Sequence, residues 1–232
     1  CGSTRPEKLQ KKVLQYGAKF GFAFDGDADR CIFIDEKGEI VDGDQIMLVA
    51  ARDLIERREL NENMVVSTVM SNMGLEKALE SSGAKMMRTS VGDKYVLREM
   101  QTHDYDLGGE QSGHVIFRRL STTGDGLITA AQVLRIVSAS NLPLSELAAI
   151  ERTAQVLKNI RVPDKEAFYS NAVIQAKVRE IEDRLGADGR VVVRPSGTEP
   201  KIRVMIETWD QSTAESYCDE ILDTVRSELK VS

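Results

Sequence analysis

This 232-residue sequence predicts a mixed or mostly parallel three-layer α/β domain followed by a smaller α+β domain. Two observations carry that reading. As far as residue 139, short apolar β-like runs alternate with helical periodicities, the pattern of strands joined by helical crossovers. From about residue 153 the order changes to a strand, a helix, two strands around a turn, and a closing helix.

Residues 8–16 (KLQKKVLQY) place Leu9, Val13 and Tyr16 on one helical face. FGFAF at 20–24 and CIFID at 31–35 read as strands on either side of an Asp-rich turn. Glu36, Lys37 and Gly38 then turn into a short strand through Ile40 and Val41. Asp44 is expected to cap a helix that buries Ile46, Met47, Leu48, Ala50, Ala51, Leu54 and Ile55. Strand-like MVVSTV at 64–69, a helix through Leu75 and Leu79, and strand-like AKMMRTS at 84–90 follow. A strand is expected over Tyr105–Leu107, a loop over 108–126 and a helix over 127–139. The stretch from Asn141 to about Arg152 reads as a domain boundary. Beyond it come strand-like QVLKNIRV at 155–162, a helix over about 166–185, and strands RVVVR and KIRVMIE around a Pro195–Pro200 turn. In the second of these, Ile202, Val204 and Ile206 alternate with Arg203, Met205 and Glu207. The last helix is expected to open on a Ser212–Glu215 capping box and to bury a stripe of Tyr217, Ile221, Val225 and Leu229.

The composition, 41% hydrophobic and 29% charged, is that of a soluble globular chain. A net charge of -6 without a long basic run argues against a nucleic-acid partner. No apolar stretch approaches the ~20 residues of a membrane span, and the first residues have no signal-peptide core. Cys1, Cys31 and Cys218 are scattered, odd in number and lack zinc spacing, which suits a reducing cytoplasm. The sequence opens on Cys rather than Met, so a longer parent protein is expected.

Three polar segments carry chemistry. In DGDADR, Asp25, Asp27 and Asp29 are separated only by Gly26 and Ala28. Carboxylates this close repel one another, and a hard divalent cation that takes one oxygen from each removes the repulsion. Arg30 adds a fixed positive charge suited to a phosphate oxygen. An EF-hand would place acids at the same first, third and fifth positions and Glu36 at the twelfth, but Arg30 stands where that loop needs Gly. A solvated acidic turn is the plainer alternative. RPSGTEPKIR, from Arg194 to Arg203, sets Ser196, Gly197 and Thr198 between two arginines and suits an anion; an ordinary hairpin with surface arginines is its alternative. GEQSGH brackets Glu110, Gln111 and Ser112 with glycines and suits hydrogen bonding to sugar hydroxyls or an amine. His114 serves there either as a ligand contact or as a structural histidine. Lys94, in the Val91–Tyr95 turn, is a candidate for phosphate contact or proton transfer, with a solvated lysine as alternative.

Together, in this order and at these separations, the segments resemble the α-D-phosphohexomutase family over essentially the whole sequence. The family has four domains, with a phosphoserine in the first and metal, sugar and phosphate loops in the second, third and fourth. The resemblance implies that residues 1–40 are the end of domain 2, 41–152 domain 3 and 153–232 domain 4. It implies Mg²⁺ on Asp25, Asp27 and Asp29, a catalytic role for Arg30, substrate contacts from Glu110 and Ser112, and phosphate contacts from Arg194, Ser196, Gly197, Thr198 and Arg203; Lys94 joins the catalytic candidates and His114 the substrate-binding ones on their own chemistry. Gln111, RPSGTEPKIRVM and VDGDQIM at 41–47 look like the bacterial branch acting on glucosamine phosphates, an isomerase-class phosphotransfer that feeds cell-wall precursors. The branch acting on mannose and glucose phosphates, or a non-catalytic sugar-phosphate-binding module, are the alternatives. A hexosamine phosphate partner and a homodimer are implied. Ala28 departs from the family, where glycine is common. The family's Ser-His-Asn-Pro run does not occur in this sequence, so domain 1 and most of domain 2 are expected elsewhere, and the chain alone is expected to be inactive.

Overall fold

The computed structural model describes residues 2–197 and 199–229. They form two units, Cys1–Glu151 and Arg152–Ser232, each with its own apolar core. The first contains α1 (Glu7–Tyr16), β1 (Phe20–Phe24), β2 (Cys31–Asp35), β3 (Ile40–Val41), α2 (Gly43–Glu56), β4 (Met64–Thr68), α3 (Met73–Ser81), β5 (Lys85–Thr89), α4 (Asp93–His103), β6 (Leu107–Gly109), β7 (Val115–Phe117), α5 (Gly126–Ala139) and α6 (Leu144–Leu147). The second contains β8 (Ala154–Arg161), α7 (Ala167–Ser170), α8 (Ala172–Leu185), β9 (Gly189–Pro195), β10 (Lys201–Thr208) and α9 (Gln211–Glu228).

In the first unit β1 and β2 form an antiparallel hairpin closed by the Phe24–Cys31 pair, with β3 on the far side of β2. A second sheet runs in the order β5-β4-β6-β7. β4 is parallel to β5 and β6, and β7 is antiparallel to β6. Alternation along the strands gives this sheet two buried faces. Val65, Leu107, Val115 and Phe117 share a core with Ile46, Met47, Leu75, Leu79 and Val133 of α2, α3 and α5. Val66 and Ile116 pack with Val96 and Met100 of α4. The result is helix, sheet, helix. Cys31 and Phe33 of β2 belong to the first of these cores, so residues ahead of α2 are packed into the same body as those after it.

From β4 the chain passes through α3 to β5 on one side, then through α4 to β6 on the other. The direction of strand order therefore reverses at β4. In parallel sheets the crevice at the carboxyl ends of strands beside such a reversal is where ligands bind.

In the second unit β8, β10 and β9 form an antiparallel sheet. Ile202, Val204 and Ile206 of β10 face Ile174 and Ile181 of α8 and Ile221 and Val225 of α9. Among the described residues no helix is long and apolar enough to cross a membrane.

Several local expectations need correction. The cap of α2 is Asp42, which accepts from the N–H groups of Asp44 and Gln45 and completes a capping box with Gln45. Asp44 is already inside the helix, fully buried, and accepts from the Asn72 N–H at 2.9 Å. Likewise Asp210, not Ser212, caps α9 by accepting from Thr213 N–H at 2.7 Å. In both places two candidate caps stand two residues apart, and the helix starts after the earlier one. The helix expected over 166–185 is broken at Asn171, whose extended backbone and side chain start α8 afresh. The 108–126 stretch is not one loop: it contains the end of β6 and all of β7. Helix α4 gave no clear signal because only Val96 and Met100 of its eleven residues are buried.

Two stability outcomes follow. Leu79 is fully buried, so Leu79→Ala should cost about 2–5 kcal/mol, seen as a lower urea midpoint at unchanged m. Hydrogen bonds from Ser212 and Thr213 depress the Asp210 pKa from 3.8 to about 2. Stability from this cap is therefore complete above the unfolded-state pKa and is lost as pH falls through the native one. The melting-temperature gap between the wild type and Asp210→Ala should be widest near neutrality and close towards pH 2.

Candidate active site

The Asp-rich turn caps the β1–β2 hairpin, so strands rather than helices flank it. Glu36, the twelfth position of the EF-hand alternative, lies beyond β2 and holds the Ser145 hydroxyl. That alternative is thereby excluded. One carboxylate oxygen each from Asp25, Asp27 and Asp29 lies within 4.8 Å of the others. Asp25 Oδ1 accepts from the Arg30 main-chain N–H at 3.2 Å, and Arg30 Nε stands 3.7 Å from Asp25 Oδ2. The turn is tight enough to put Ala28 at φ 59°, a left-handed conformation that costs a non-glycine residue about 1 kcal/mol.

The turn rests on two supports. Gly126, at the start of α5, donates its N–H to Ala28 O at 2.9 Å. His114 is buried and accepts from the Gly124 N–H on Nε2 at 3.2 Å. Its proton is therefore on Nδ1, which donates to Asp29 Oδ2 at 3.0 Å. The other oxygen, Asp29 Oδ1, is buried with no hydrogen-bond partner. A buried, unsatisfied carboxylate oxygen beside two further carboxylates fits a hard divalent cation, and an imidazole behind one ligand is the usual way to orient it.

The GEQSGH segment is bound to the same turn through the main chain. Cys31 N–H donates to Gly113 O at 3.0 Å, and Gly43 N–H donates to Gln111 O at 3.0 Å. Neither approach would survive a side chain. A Cβ on Gly43 would lie 2.0 Å from Glu110 O, and one on Gly113 would lie 2.4 Å from Cys31 O. Glu110 Oε1 accepts from the Gly92 N–H at 3.1 Å, which joins this loop to the start of α4.

Beside this loop is an open cavity of about 550 Å³ lined by Asp42, Thr68, Met70, Val91, Glu110, Gln111 and Ser112. Thr68 ends β4, and Met70, Val91, Glu110, Gln111 and Ser112 sit just beyond the carboxyl ends of β4, β5 and β6, at the reversal of strand order, while Asp42 joins them from the start of α2. Glu110 and Ser112 are thus brought to one cleft. His114 instead faces the Asp-rich turn. Lys94 is exposed on α4 with its Nζ 4.9 Å from the Tyr95 ring centre, and it is not among the residues lining the cavity. Sequence reasoning missed Asp42, Thr68, Met70 and Val91. The available signal was position alone: each follows or abuts a strand end.

In the second unit Arg194 and Arg203 are direct partners across β9 and β10. Like charges in that register repel. Burial, then the neighbouring Arg203, pulls the Arg194 guanidinium below its ordinary pKa. Arg203 Nε is buried with no hydrogen-bond partner. Ser196 is buried in the connecting turn, its N–H donating to Lys201 O at 2.8 Å. Gly197 follows it, with open space where a Cβ would be. Thr198 lies outside the described residues. Two crowded guanidiniums beside such a turn suit an anion with several oxygens.

Known proteins resemble both units of the chain. Residues 42–153 match the phosphoglucomutase/phosphomannomutase alpha/beta/alpha domain III, and 157–224 match the C-terminal domain of the same proteins. The chain is 51% identical over 230 residues to the phosphoglucosamine mutase of Shouchella clausii. It is 52% identical over 231 residues to that of Symbiobacterium thermophilum. Each match takes in 99% of this chain and 52% of the relative, so the chain spans about half the length of the curated relatives it matches. The fold is shared with a crystal structure of Aspergillus fumigatus N-acetylphosphoglucosamine mutase in complex with GlcNAc-6P and magnesium. The TM-score there is 0.74 at 23% identity, over 88% of this chain and 51% of that one. With both domain matches in sequence order and half of all residues shared with these relatives, the chain belongs to the phosphoglucomutase/phosphomannomutase family, the α-D-phosphohexomutases, and carries its domains III and IV.

Proposed function

We propose that this chain is the sugar- and phosphate-binding part of a cytosolic phosphoglucosamine mutase, which interconverts glucosamine 6-phosphate and glucosamine 1-phosphate. The observation that carries this reading is the joining of two loops. The carboxylates of Asp25, Asp27 and Asp29 and the cleft wall of Glu110 and Ser112 are tied through Cys31–Gly113 and Asp29–His114. The relatives' shared name supports the sugar. The unbridged, buried thiols of Cys31 and Cys218 support the compartment.

In this reading a phosphoserine supplied by the family's first domain gives its phosphoryl group to the sugar phosphate. The 1,6-bisphosphate so formed turns over in the site, and its other phosphate returns to the serine. Asp25, Asp27 and Asp29 would hold Mg²⁺, which offsets charge on the phosphoryl oxygens. Arg30, with Nε buried and without a hydrogen-bond partner, directs a second positive charge to the same place. Glu110 and Ser112 hold sugar hydroxyls. His114 acts from behind, holding Asp29 in one orientation. From its exposed position on α4, Lys94 brings a further positive charge to the reacting end. Arg194, Ser196, Gly197, Thr198 and Arg203 hold the phosphate that is not reacting. Because the two phosphates exchange places, each site must accept the ligand in either direction.

Two measurements test this. The gene product that contains this chain, assayed with serine-bearing domains in place, should turn over glucosamine 6-phosphate well ahead of glucose and mannose 6-phosphates. Faster turnover of a hexose phosphate lacking the amine would move the assignment to the other branch. Metal binding by the chain itself gives a readout independent of turnover. Calorimetric Mn²⁺ titration should show one site that Asp27→Asn weakens by at least about tenfold and His114→Ala by about 10–100-fold. Equal affinity in all three proteins would discard the metal assignment.

A further inference from the structure

Lys165 lies in the connection between β8 and α7, outside the Asp-rich turn, the GEQSGH segment and the Arg194–Arg203 segment. Its Nζ donates to Ser196 O at 2.7 Å and to Gly197 O at 3.3 Å. Among the described residues it forms no ion pair, although Asp164 and Glu166 are its chain neighbours. The lysine therefore directs its charge onto two successive main-chain carbonyls of the turn between Arg194 and Arg203.

That choice has a geometric effect. In a planar trans peptide the carbonyl and the following N–H point in opposite directions. With the Ser196 carbonyl drawn towards Lys165, the N–H of Gly197 is turned to the other side. The Ser196 N–H is already committed to Lys201 O, so Gly197 supplies the next main-chain donor. A Cβ on Gly197 would meet nothing within 4 Å, which leaves room there for a ligand. A main-chain N–H so placed can donate to an anion. The guanidiniums of Arg194 and Arg203 occupy adjoining strand positions.

We propose that Lys165 is a positioning residue for the phosphate loop: its ammonium clamps the Ser196 and Gly197 carbonyls and so presents the Gly197 N–H to the phosphate that Arg194 and Arg203 receive. This rests on the phosphate-binding reading of the second unit. Lys165 acts through the loop backbone, and the ligand it serves is a phosphate monoester of a sugar, or inorganic phosphate as its simplest form.

The test uses the 232-residue chain, titrated with inorganic phosphate and with glucosamine 6-phosphate by calorimetry, with ¹H–¹⁵N spectra recorded alongside. Lys165→Met keeps the apolar stem and removes the clamp. It should weaken both ligands about tenfold, the scale of losing hydrogen bonds to a charged group, and abolish the ligand-induced shift of the Gly197 amide. Lys165→Arg restores two donors and should recover most of the affinity and the Gly197 shift, which a merely structural loss would not do. Lys165→Gln, with fewer donors and no charge, should fall between the two and carries the test if Lys165→Met does not fold. If the wild type binds and the Met and Gln variants bind equally well, the role given to Lys165 is overturned while the phosphate loop stands. If the wild type takes up neither phosphate, the phosphate reading fails, and the role of Lys165 with it.

Discussion

The candidate site depends on main-chain contacts that leave no room for a side chain. Gly43 and Gly113 bring the start of α2, the start of β2 and the GEQSGH loop together through two backbone hydrogen bonds. Each such bond contributes only about 0.5–1.5 kcal/mol. Their importance is positional: a Cβ at either glycine would overlap a carbonyl and push the loops apart. Because the joints are made by backbone, the side chains of Glu110, Gln111 and Ser112 are left to line the cleft. The same joints fix the distance from that cleft to the carboxylates of Asp25, Asp27 and Asp29.

The two units solve opposite electrostatic problems by the same means. In the first, three carboxylates crowd together and one oxygen of Asp29 is buried without a hydrogen-bond partner. In the second, two guanidiniums face each other across neighbouring strands and one Arg203 nitrogen is buried without a partner. Each cluster is eased by a neighbour of the protein's own, Arg30 beside Asp25 and Glu199 beside Arg203, and a ligand of opposite charge would ease it further. The surrounding frame tolerates this because the strain is local. The hairpin pairs of β1 and β2 and the long ladder of β8, β10 and β9 carry the fold independently.

The loops were legible in the sequence because their chemistry is concentrated: three acids in five residues, two arginines around Ser-Gly-Thr, and a glycine-bracketed Glu-Gln-Ser. β2 was legible because its nearly continuous apolar run, CIFID, is buried along its whole length. What escaped was either too short, too polar or dependent on distant partners. β7 is three residues long, and α4 buries two side chains. His114 finds Asp29 across 85 positions, a pairing that no local pattern announces. Met70 and Val91 meet the Glu110 loop only because the sheet reverses direction at β4, and Asp42 only because the start of α2 docks on that loop through Gly43 and Gln111. The cap errors at Asp44 and Ser212 have a simpler cause: Asp42 and Asp210 had first claim on the free N–H groups.

Apart from Thr68 at the end of β4, the walls of the cleft come from residues that follow the strands. Pairing of β4, β5 and β6 ends at Thr68, Thr89 and Gly109, and Met70, Val91 and Gln111 lie just past those points. Exchanging one of these three disturbs no ladder bond and opens no hole in the apolar interior. The frame can therefore stay constant while its rim diversifies. Divergence in what such a cleft accepts then becomes a sequence of single replacements, each tolerated by the frame as it arises, with no need for a new architecture.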